Sequence, residues 1–462
     1  MSKEGLFEEF NTISAKAWKQ QIQFDLKGAD YNKNLVWESP EGISVKPFYH
    51  ADDFESRNIA KIDQVPKLYI AQNIFASSGK KANEKALDVL NRGADCLIFT
   101  IPSQDIKVDA LLQNIDLSKS PIYFEMQFLS YDYIKQIRDY VAHKNATIYL
   151  NIDIIGNLAL TGNWFQNMDK DHEILTRILE GDLTSSGVNT LSIDVSLYQN
   201  AGANQVQQLA YALAHASEYL NFMIDNNIKP TSKVTFKVAV DTNYFFEIAK
   251  LRALRLLWKT LAMKYGIDTD CNILATPTLR NKTLYDHHVN MLRTTTECMS
   301  AILGGANTIC NLPYDGVFHK DNEFSERIAR NQLLIIKEES HFKKVNNPAD
   351  GSYYIESLTA QIADKALKLF KNIEVGGGFL KQLKAHNIQK KIRESALKEQ
   401  NQFNKNEKVL VGSNKYMNEL DRMKGDMELY PFLKTKPRKT LLEPIVTKRL
   451  AEELEKKRLQ LE

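Results

Sequence analysis

The chain has 462 residues, of which 43% are hydrophobic and 25% are charged, and its formal net charge is +3 with histidine neutral. These values are typical of a soluble protein with one large domain or two to three smaller ones, and the charge is too small to indicate nucleic-acid binding. No stretch approaches 18 consecutive apolar residues, and the acidic N-terminus lacks an apolar core, so we expect neither a membrane span nor a signal peptide.

Residues 1–60 predict an N-terminal arm that contacts a partner. Five large aromatic side chains are spread through this polar segment, which has too little apolar sequence to bury them by itself. These residues are Trp18, Phe24, Trp37, Phe48 and Tyr49. We expect the arm to lie on the rest of the chain or on another chain, and we expect deletion of residues 1–50 to abolish binding to a partner.

Residues 61–345 predict an α/β fold, because short apolar runs alternate with helix-length segments. The runs are continuous, which is typical of parallel strands covered on both faces. The predicted strands are 68–75, 96–101, 122–126, 147–152, 190–198, 234–240, 272–275 and 307–312. A count of eight, with no glycine-rich dinucleotide turn after the first strand, favours a (β/α)8 TIM barrel over an open doubly wound sheet.

Helices between these strands are predicted at 80–92, 132–143, 203–226, 244–265, 286–304 and 323–342. In the segment 203–226, apolar residues recur at spacings of three and four, which predicts one buried face. They are Val206, Leu209, Ala210, Leu213 and Ala214. Gly202 supplies the backbone freedom that a tight loop before this helix needs, and Asp286 is suited to cap the helix 286–304.

Residues 346–462 predict a helical C-terminal extension. The extension begins with a turn-rich segment, and its tail, 443–462, is charged and helical by propensity. Gly376-Gly377-Gly378 lacks the Lys-Ser/Thr pair and the preceding strand of a phosphate loop, so we interpret it as a flexible connection.

Two histidines and three acids are candidates for a metal-binding or catalytic site. His287 and His288 are adjacent, so on a helix their side chains point about 100° apart and do not converge on one metal ion. Asp153, Asp194 and Asp241 lie at or near strand ends, where barrel enzymes place acids. No histidine or second acid follows at a telling spacing, so we interpret these three acids as loop caps or as partners of lysine and arginine side chains.

The four cysteines are Cys96, Cys271, Cys298 and Cys310, and none forms a Cys-x-x-Cys pair. So few cysteines in so long a chain do not make a disulfide framework, and reduced thiols in a cytoplasmic protein are the simplest interpretation. Cys96 and Cys310 lie in predicted strands and are interpreted as small core residues.

Seven stretches, taken together, carry a specific signal: FDLKGADY at 24–31, EGISVKPFY at 41–49, LSIDVSLYQNAGA at 191–203, FFEIAKLRALRLLW at 245–258, RTTTECMSAILGGA at 293–306, SERIARN at 325–331 and NPADGSYYIE at 347–356. In this order they resemble the adenosylcobalamin-dependent acyl-CoA mutases of the methylmalonyl-CoA type. The resemblance implies a (β/α)8 barrel and, as biological setting, the interconversion of methylmalonyl-CoA and succinyl-CoA in propionate metabolism.

The sequence departs from the catalytic members of this family at the residues that do the chemistry. In those members the stretch matching 191–203 carries a histidine over the corrin ring, and the matching residue here is Leu197, whose side chain has no hydrogen-bonding atom. The family's first barrel strand carries a tyrosine against the acyl group, whereas Tyr69 and Gln72 do not reproduce that register. The resemblance therefore implies no catalytic residue in this chain.

A second departure concerns the cobalt ligand. Catalytic chains continue into a cobalamin-binding domain whose Asp-x-His-x-x-Gly motif supplies the lower axial histidine. The nearest pattern in this sequence, Asp286-His287-His288, has Met291 where the glycine is required. We therefore expect no cobalamin-binding domain, no cofactor-binding residue and no metal-binding residue in this chain.

The combined pattern is similar to the small, non-catalytic subunits of heterodimeric members of the family. That resemblance implies a catalytic large subunit as partner, adenosylcobalamin held by the partner and none bound by this chain alone, and a barrel filled by side chains. Apolar Ile193, Val195 and Leu197 on the predicted strand 190–198 agree with such filling.

Two alternatives remain open at this point. One is a barrel-only catalytic subunit of a split acyl-CoA mutase that recruits a separate cobalamin-binding protein. Such subunits keep the catalytic histidine and tyrosine, so Leu197 discriminates against this alternative. The other is a stand-alone acyl-CoA-binding protein, which would need an open barrel axis.

Overall fold

Eight parallel strands close into a barrel in the structure, a computed structural model that describes residues 11–54, 67–182, 187–229, 233–268, 270–344, 347–434 and 438–462. A short antiparallel hairpin of β1 (Trp37–Glu38) and β2 (Ser44–Val45) precedes the barrel. The barrel strands are β3 (Tyr69–Phe75), β4 (Cys96–Ile101), β5 (Ile122–Met126), β6 (Ile148–Ile152), β7 (Val188–Asp194), β8 (Thr235–Val240), β9 (Asn272–Pro277) and β10 (Thr308–Cys310). β10 pairs with β3 and closes the ring, which confirms the predicted (β/α)8 barrel.

Two strand predictions extend too far at their carboxyl ends, and one of them, 307–312, ends at Cys310 in the structure. The predicted strand 190–198 ends at Asp194, and the next residues form the short helix Ser196–Asn200. The side chain of Asp194 accepts a hydrogen bond from the backbone N–H of Ser196 at 3.0 Å, which turns the chain out of the sheet. Leu197 therefore lies on a helix rather than on a barrel strand.

The helices are α1 (Ala15–Asp25), α2 (Tyr31–Leu35), α3 (Gly79–Asn91), α4 (Val108–Leu112), α5 (Tyr131–Val141), α6 (Ile154–Thr161), α7 (Met168–Asp182), α8 (Ser196–Asn200), α9 (Gln205–Asp225), α10 (Tyr244–Lys264), α11 (Val289–Leu303), α12 (Glu323–Leu334), α13 (Tyr353–Val375), α14 (Phe379–Lys384), α15 (Asn387–Asn404) and α16 (Glu452–Gln460). A π-helical turn, Ile335–Glu339, extends α12. The prediction that Asp286 caps the helix 286–304 is wrong, because α11 begins at Val289 and His288 occupies the cap position.

α9 begins where its sequence provides a capping box. The side chain of Asn204 accepts from the backbone N–H of Gln207 at 3.0 Å, and the backbone N–H of Asn204 donates to the Gln207 side chain at 2.9 Å. The predicted apolar face is buried, but so is most of the remaining helix surface. The reason is that α13 packs over both α9 and α10 and forms a second helical layer outside the barrel.

This second layer buries charged side chains of α10. Arg252 is almost fully buried, and its guanidinium group donates to Asp350 at 2.6 Å and to Glu356 of α13 at 2.7 Å. Two charge-assisted hydrogen bonds to different carboxylates fix the orientation of this arginine. They join the barrel to the C-terminal extension.

The C-terminal extension is helical only in part. Gly376-Gly377-Gly378 forms the turn between α13 and α14, with φ of 101° at Gly377 and 84° at Gly378. The prediction of a helix over 443–462 is wrong for the residues before α16. Residues 443–449 run without a helix across the carboxyl face of the barrel. There the backbone N–H of Lys448 bonds to the carbonyl of Asn200, and that of Leu450 bonds to the carbonyl of Arg280.

The described part of the N-terminal arm, residues 11–54, lies on α10 and α13. The ring of Trp37 packs edge-on against Phe246 with centroids 5.7 Å apart, and Tyr49 packs against Tyr354 at 5.5 Å. α1 buries none of its own residues. The remaining predicted arm residues, 1–10 and 55–60, lie outside the described part of the chain, so the boundaries 1–60, 61–345 and 346–462 stay predictions.

Candidate functional site

Side chains fill the interior of the barrel. Tyr123 of β5 stacks on Tyr149 of β6 with ring centroids 4.3 Å apart and planes inclined by 12°. The buried Tyr123 hydroxyl bonds to the Thr308 hydroxyl and accepts from the Asn272 amide, both at 2.9 Å. The apolar residues around this stack are Tyr69, Ala71, Cys96, Ile98, Leu274 and Cys310. Burial raises the pKa of Tyr149 to about 12, as expected for a phenol held away from water.

The residues predicted to fill the barrel do not do so. Ile193 is aligned with Phe236 of β8, whose ring packs against Trp258 of α10 outside the barrel. Aligned residues of parallel strands face the same side of the sheet, so Ile193 faces the outer core. Val195 and Leu197 follow the end of β7 and belong to the same outer core.

The carboxyl end of the barrel interior carries an ion pair. Lys237 of β8 contacts Glu125 of β5 at 2.7 Å, and each side chain is about one-quarter exposed. Burial opposes the charge of Lys237, but Glu125 and Asp194 outweigh it and raise the pKa of the ammonium group. Burial also raises the pKa of Asp194. In barrel enzymes the carboxyl end of the barrel holds the reacting groups. Here that end holds Lys237, whose charge is balanced by the neighbouring acids Glu125 and Asp194.

Asp153 joins the helices α6 and α9 behind the barrel wall. Its carboxylate accepts from the backbone N–H of Gly156 at 2.7 Å, from the hydroxyl of Tyr219 at 2.8 Å, and contacts Nε2 of the fully buried His215 at 2.9 Å. Burial opposes ionisation of Asp153, but His215 and the surrounding donors outweigh it and lower the pKa. Asp153 therefore caps α6 and contacts a histidine, whereas the sequence interpretation was a loop cap or a partner of lysine or arginine and did not include His215.

Asp241 belongs to a charged cluster between the barrel and the extension. Its carboxylate accepts from the Thr242 backbone at 2.7 Å and from the Asn281 amide at 2.6 Å, and it lies 3.6 Å from Lys408. Burial opposes its ionisation, but Lys408 and these donors lower the pKa of Asp241. Lys408 also pairs with Glu399 of α15. The cluster fixes α15 over the carboxyl ends of β7 to β9.

A cavity of about 640 Å³ lies beside this cluster. Its walls are the N-terminal hairpin, the start of α9, the loop after β8, and α15. Three residues of this cavity that sequence reasoning missed are Trp37, Glu41 and Gln205. The only signal was indirect, since Glu41 opens one stretch of the family resemblance and Gln205 is the first residue of α9.

The remaining candidate residues of the first strand lie apart from this cavity. Gln72 faces outward, where its side-chain oxygen accepts from Arg330 of α12 at 3.1 Å. Tyr69 lies inside the barrel at the amino end of β3, opposite Thr308. A tyrosine at that end cannot reach a ligand at the carboxyl end, which lies a strand length away.

The adjacent histidines stack rather than converge. The rings of His287 and His288 lie 4.3 Å apart, and both stack on Tyr314. Within the described ranges, no three His, Cys, Asp or Glu residues come close enough together to hold a metal ion.

All four cysteines are buried and carry free thiols. Cys96 and Cys310 contribute to the interior of the barrel, as predicted. Burial raises the pKa of Cys271 and of Cys310 to about 12, so these thiols are poor nucleophiles at neutral pH.

We expect Gly202→Ala to lower the free energy of unfolding by about 2–4 kcal/mol, because backbone strain and a steric overlap both oppose the folded state. Gly202 has a φ of 99°, and an added Cβ would lie 2.5 Å from the Cβ of Ala396 on α15. Gly266→Ala is the matched control, since Gly266 has a φ of 70° with nothing within 4 Å of the added Cβ. Urea unfolding checks this, and equal losses in the two variants would contradict the close approach of α15.

The chain is similar to known proteins over most of its length. A family model described as methylmalonyl-CoA mutase matches residues 103–457. The methylmalonyl-CoA mutase small subunit of Porphyromonas gingivalis is 35% identical over 447 residues, which cover 90% of this chain and 72% of that protein. The corresponding small subunit of Propionibacterium freudenreichii subsp. shermanii is 34% identical, with 83% and 65% covered.

The chain is also similar to a relative whose name does not describe it as a small subunit. The methylmalonyl-CoA mutase of Cereibacter sphaeroides is 28% identical over 462 residues, which cover 88% of this chain and 64% of that protein. The chain thus spans roughly two-thirds of the length of these relatives. Among the helices that the structure describes, none is long and apolar enough to cross a membrane.

Proposed function

The chain belongs to the methylmalonyl-CoA mutase family, and we propose that it is the small subunit of a heterodimeric methylmalonyl-CoA mutase that supports a catalytic subunit without turning over substrate itself. The family uses adenosylcobalamin, and in this proposal the partner subunit holds it. The proposed complex interconverts methylmalonyl-CoA and succinyl-CoA in the cytoplasm, where buried thiols stay reduced.

The observation that carries this proposal is the environment of Leu197. The family resemblance places a histidine over the corrin ring at this position, and here the residue is a leucine that is 4% exposed within the outer core. A leucine side chain can neither donate a hydrogen bond to a thioester carbonyl nor contact a corrin through a polar atom. The residues present at this position therefore do not fit an adenosylcobalamin site.

The barrel interior supports the same proposal. The Tyr123–Tyr149 stack and the Lys237–Glu125 ion pair occupy the axis along which an active family member would accommodate its thioester. A thioester that entered along this axis would have to separate the stacked rings and the ion pair. Both changes cost free energy. This interior disfavours both the split catalytic subunit and the stand-alone acyl-CoA-binding protein.

We further propose that the partner binds exposed apolar side chains of the arm, which are Ile13, Trp18 and Phe24. Trp18 is 49% exposed and Phe24 is 78% exposed. Both belong to α1, an 11-residue helix that buries none of its residues. Large exposed aromatic side chains on one short helix are typical of a protein–protein interface.

The test is turnover with and without the catalytic subunit. We expect this chain alone, supplied with adenosylcobalamin and methylmalonyl-CoA, to form no succinyl-CoA, because Leu197 replaces the histidine. We expect the catalytic subunit to be more stable to heat and more active when it is purified with this chain. Turnover by the lone chain would refute the proposal, as would equal stability and equal activity of the partner in both preparations.

A second version of the same assay tests the alternative that this chain is the barrel-only catalytic subunit of a split mutase. A separate cobalamin-binding protein is added to this chain together with coenzyme and substrate. We expect no succinyl-CoA to form in this mixture either. Formation of product there would favour the barrel-only catalytic subunit.

A further inference from the structure

A second cavity lies within the N-terminal arm. It has a volume of about 720 Å³, and its walls come from α1, α2, the hairpin of β1 and β2, and the segment that follows the hairpin. A volume of this size falls in the range of small-molecule sites and is larger than an inorganic ion needs. The cavity is therefore large enough for an organic ligand.

One wall of this cavity carries a hydroxyl group without a partner. Tyr31, the first residue of α2, is 8% exposed and lines the cavity. Its hydroxyl has no hydrogen-bond partner among the described residues, yet it is not one of the polar atoms that are closed off from solvent. The hydroxyl therefore opens into the cavity. Polar groups of buried residues are almost always paired, so this one indicates a partner from outside the described chain.

An ammonium group lies beside the same tyrosine. Nζ of Lys19, on α1, lies over the Tyr31 ring at 4.7 Å from its centroid. Burial raises the pKa of Tyr31, and the nearby charge of Lys46 acts in the opposite direction. The phenol is therefore protonated at neutral pH and can donate a hydrogen bond. Together the hydroxyl and the ammonium group form a pair of donors that suits an anion.

The charges around the cavity also favour an anion. Its lining contains four lysines and two acidic residues. Both acids have partners within the arm, since Asp53 contacts Lys46 at 2.8 Å and Glu38 accepts from the hydroxyl of Ser44. In the described part of the chain no ion pair involves the other three lysines, which are Lys16, Lys19 and Lys33. Three such ammonium groups favour a ligand with more than one negative charge.

The rest of the lining is partly apolar. Val36 and Phe48 line the same cavity, and both are half-buried. Apolar side chains gain free energy when they cover an apolar surface, and they gain none from an inorganic ion. The lining therefore favours an anion with an apolar or aromatic body.

We propose that this cavity binds a small organic phosphate whose oxygens accept hydrogen bonds from the Tyr31 hydroxyl and the Lys19 ammonium group. Its apolar body lies against Val36 and Phe48. A phosphate monoester has about two negative charges at neutral pH and several acceptor oxygens, which suits one hydroxyl and a group of lysines. The site goes beyond the proposed role of the chain as a mutase subunit and does not depend on it.

Calorimetric titration of the full-length chain tests the proposal with three probes. We expect phenyl phosphate to bind saturably with a Kd below about 1 mM, inorganic phosphate to bind about tenfold more weakly or less, and phenol to give no saturable heat. Equal binding of inorganic phosphate would show an adventitious ion only, and equal binding of phenol would show an apolar pocket only. Either result would overturn the proposal, as would the absence of phenyl phosphate binding.

A matched pair of tyrosine variants tests the hydroxyl. Tyr31→Phe keeps the ring and removes only the donor, so we expect it to weaken phenyl phosphate binding about tenfold, as for the loss of one hydrogen bond to a charged group. Tyr416 is 72% exposed and lies outside the lining, so Tyr416→Phe should leave the Kd unchanged. Wild-type affinity in Tyr31→Phe would contradict the proposed contact.

A pair of lysine variants separates a built site from general attraction, and it keeps the test decisive if Tyr31→Phe disturbs α2. Thermal unfolding checks that each variant is folded before titration. Lys19 and Lys27 are both exposed, but only Lys19 lines the cavity. We expect Lys19→Gln to weaken phenyl phosphate binding about tenfold and Lys27→Gln to change the Kd by less than about twofold. Equal weakening in both variants would show non-specific attraction and would refute the site.

Discussion

Replacing Lys250 with methionine is expected to lower the free energy of unfolding by about 3–5 kcal/mol, because it leaves a buried carboxylate without its counterion. Lys250 and Glu247 are both fully buried on α10, and their charged atoms lie 2.6 Å apart. The ammonium group also donates to the carbonyl of Ala239 on β8 at 2.8 Å and to Gln208 on α9 at 3.1 Å. Methionine has similar volume but none of these donors.

The pH dependence of this loss gives a second check. Burial raises the pKa of Glu247, while Lys250 acts to lower it. Without Lys250 the folded-state pKa rises further above the unfolded value, so the variant is favoured at low pH and loses stability as pH rises through the folded-state pKa. We therefore expect a smaller deficit at about pH 5 than at about pH 8.

Two controls identify the cause of the loss. Lys264→Met, at the exposed end of the same helix, should change the stability by less than about 0.5 kcal/mol. Glu247→Gln combined with Lys250→Met removes both charges and should recover part of the loss. Urea unfolding curves measure all three variants. A deficit in Lys250→Met that is unchanged by the second substitution would contradict an electrostatic origin.

The burial of Lys250 was not predictable from the sequence of α10. Lysines within an apolar helical run usually mark a solvated face, and a barrel helix has one such face. Here the ammonium group of Lys250 points to the barrel wall, where it donates to the carbonyl of Ala239 on β8 and to Gln208 on α9. Sequence periodicity predicts which side of a helix is buried, and it does not report the counterion and acceptors that a lysine on the buried side finds there.

The barrel itself was predictable because its strands are continuous apolar runs covered on both sides. The overextended prediction for 190–198 shows the limit of that signal. Val195 and Leu197 are apolar and buried, but they continue the burial in a turn and a short helix after Asp194. Hydrophobicity reports that a residue is buried, and hydrogen bonds such as the one from Ser196 to Asp194 decide its backbone conformation.

The C-terminal tail was mispredicted for a related reason. Leu442 and Ile445 enter the main core without a helix, and Pro444 between them disfavours one. The lining of the cavity beside α15 could not be predicted, since Glu41 and Gln205 are far apart in sequence and the stretch of the resemblance that Glu41 opens does not indicate a cavity. Their proximity depends on where the hairpin lies on α9.

The double substitution Trp18→Ser and Phe24→Ser is expected to weaken binding to the catalytic subunit about a hundredfold or more, with little change in the stability of this chain. Two aromatic side chains at the centre of an interface together contribute about 3–4 kcal/mol or more to binding. Both residues lie on α1, which buries none of its own residues, so their removal exposes little that is now covered. Trp18 loses only an edge contact with Phe48 at 6.3 Å.

This pair of substitutions tests the interface more cleanly than deletion of residues 1–50 does. The deletion would also remove Trp37 and Tyr49, which pack on α10 and α13, and would therefore damage the chain itself. Val375→Ser is the matched control, because Val375 is 91% exposed and ends α13, whose first turn carries Tyr354 at the arm. The two ends of α13 lie about 30 Å apart, so this substitution should leave the Kd unchanged. Binding by the arm variant with the affinity of the wild type, measured by interferometry on the immobilised catalytic subunit, would show that the partner docks elsewhere.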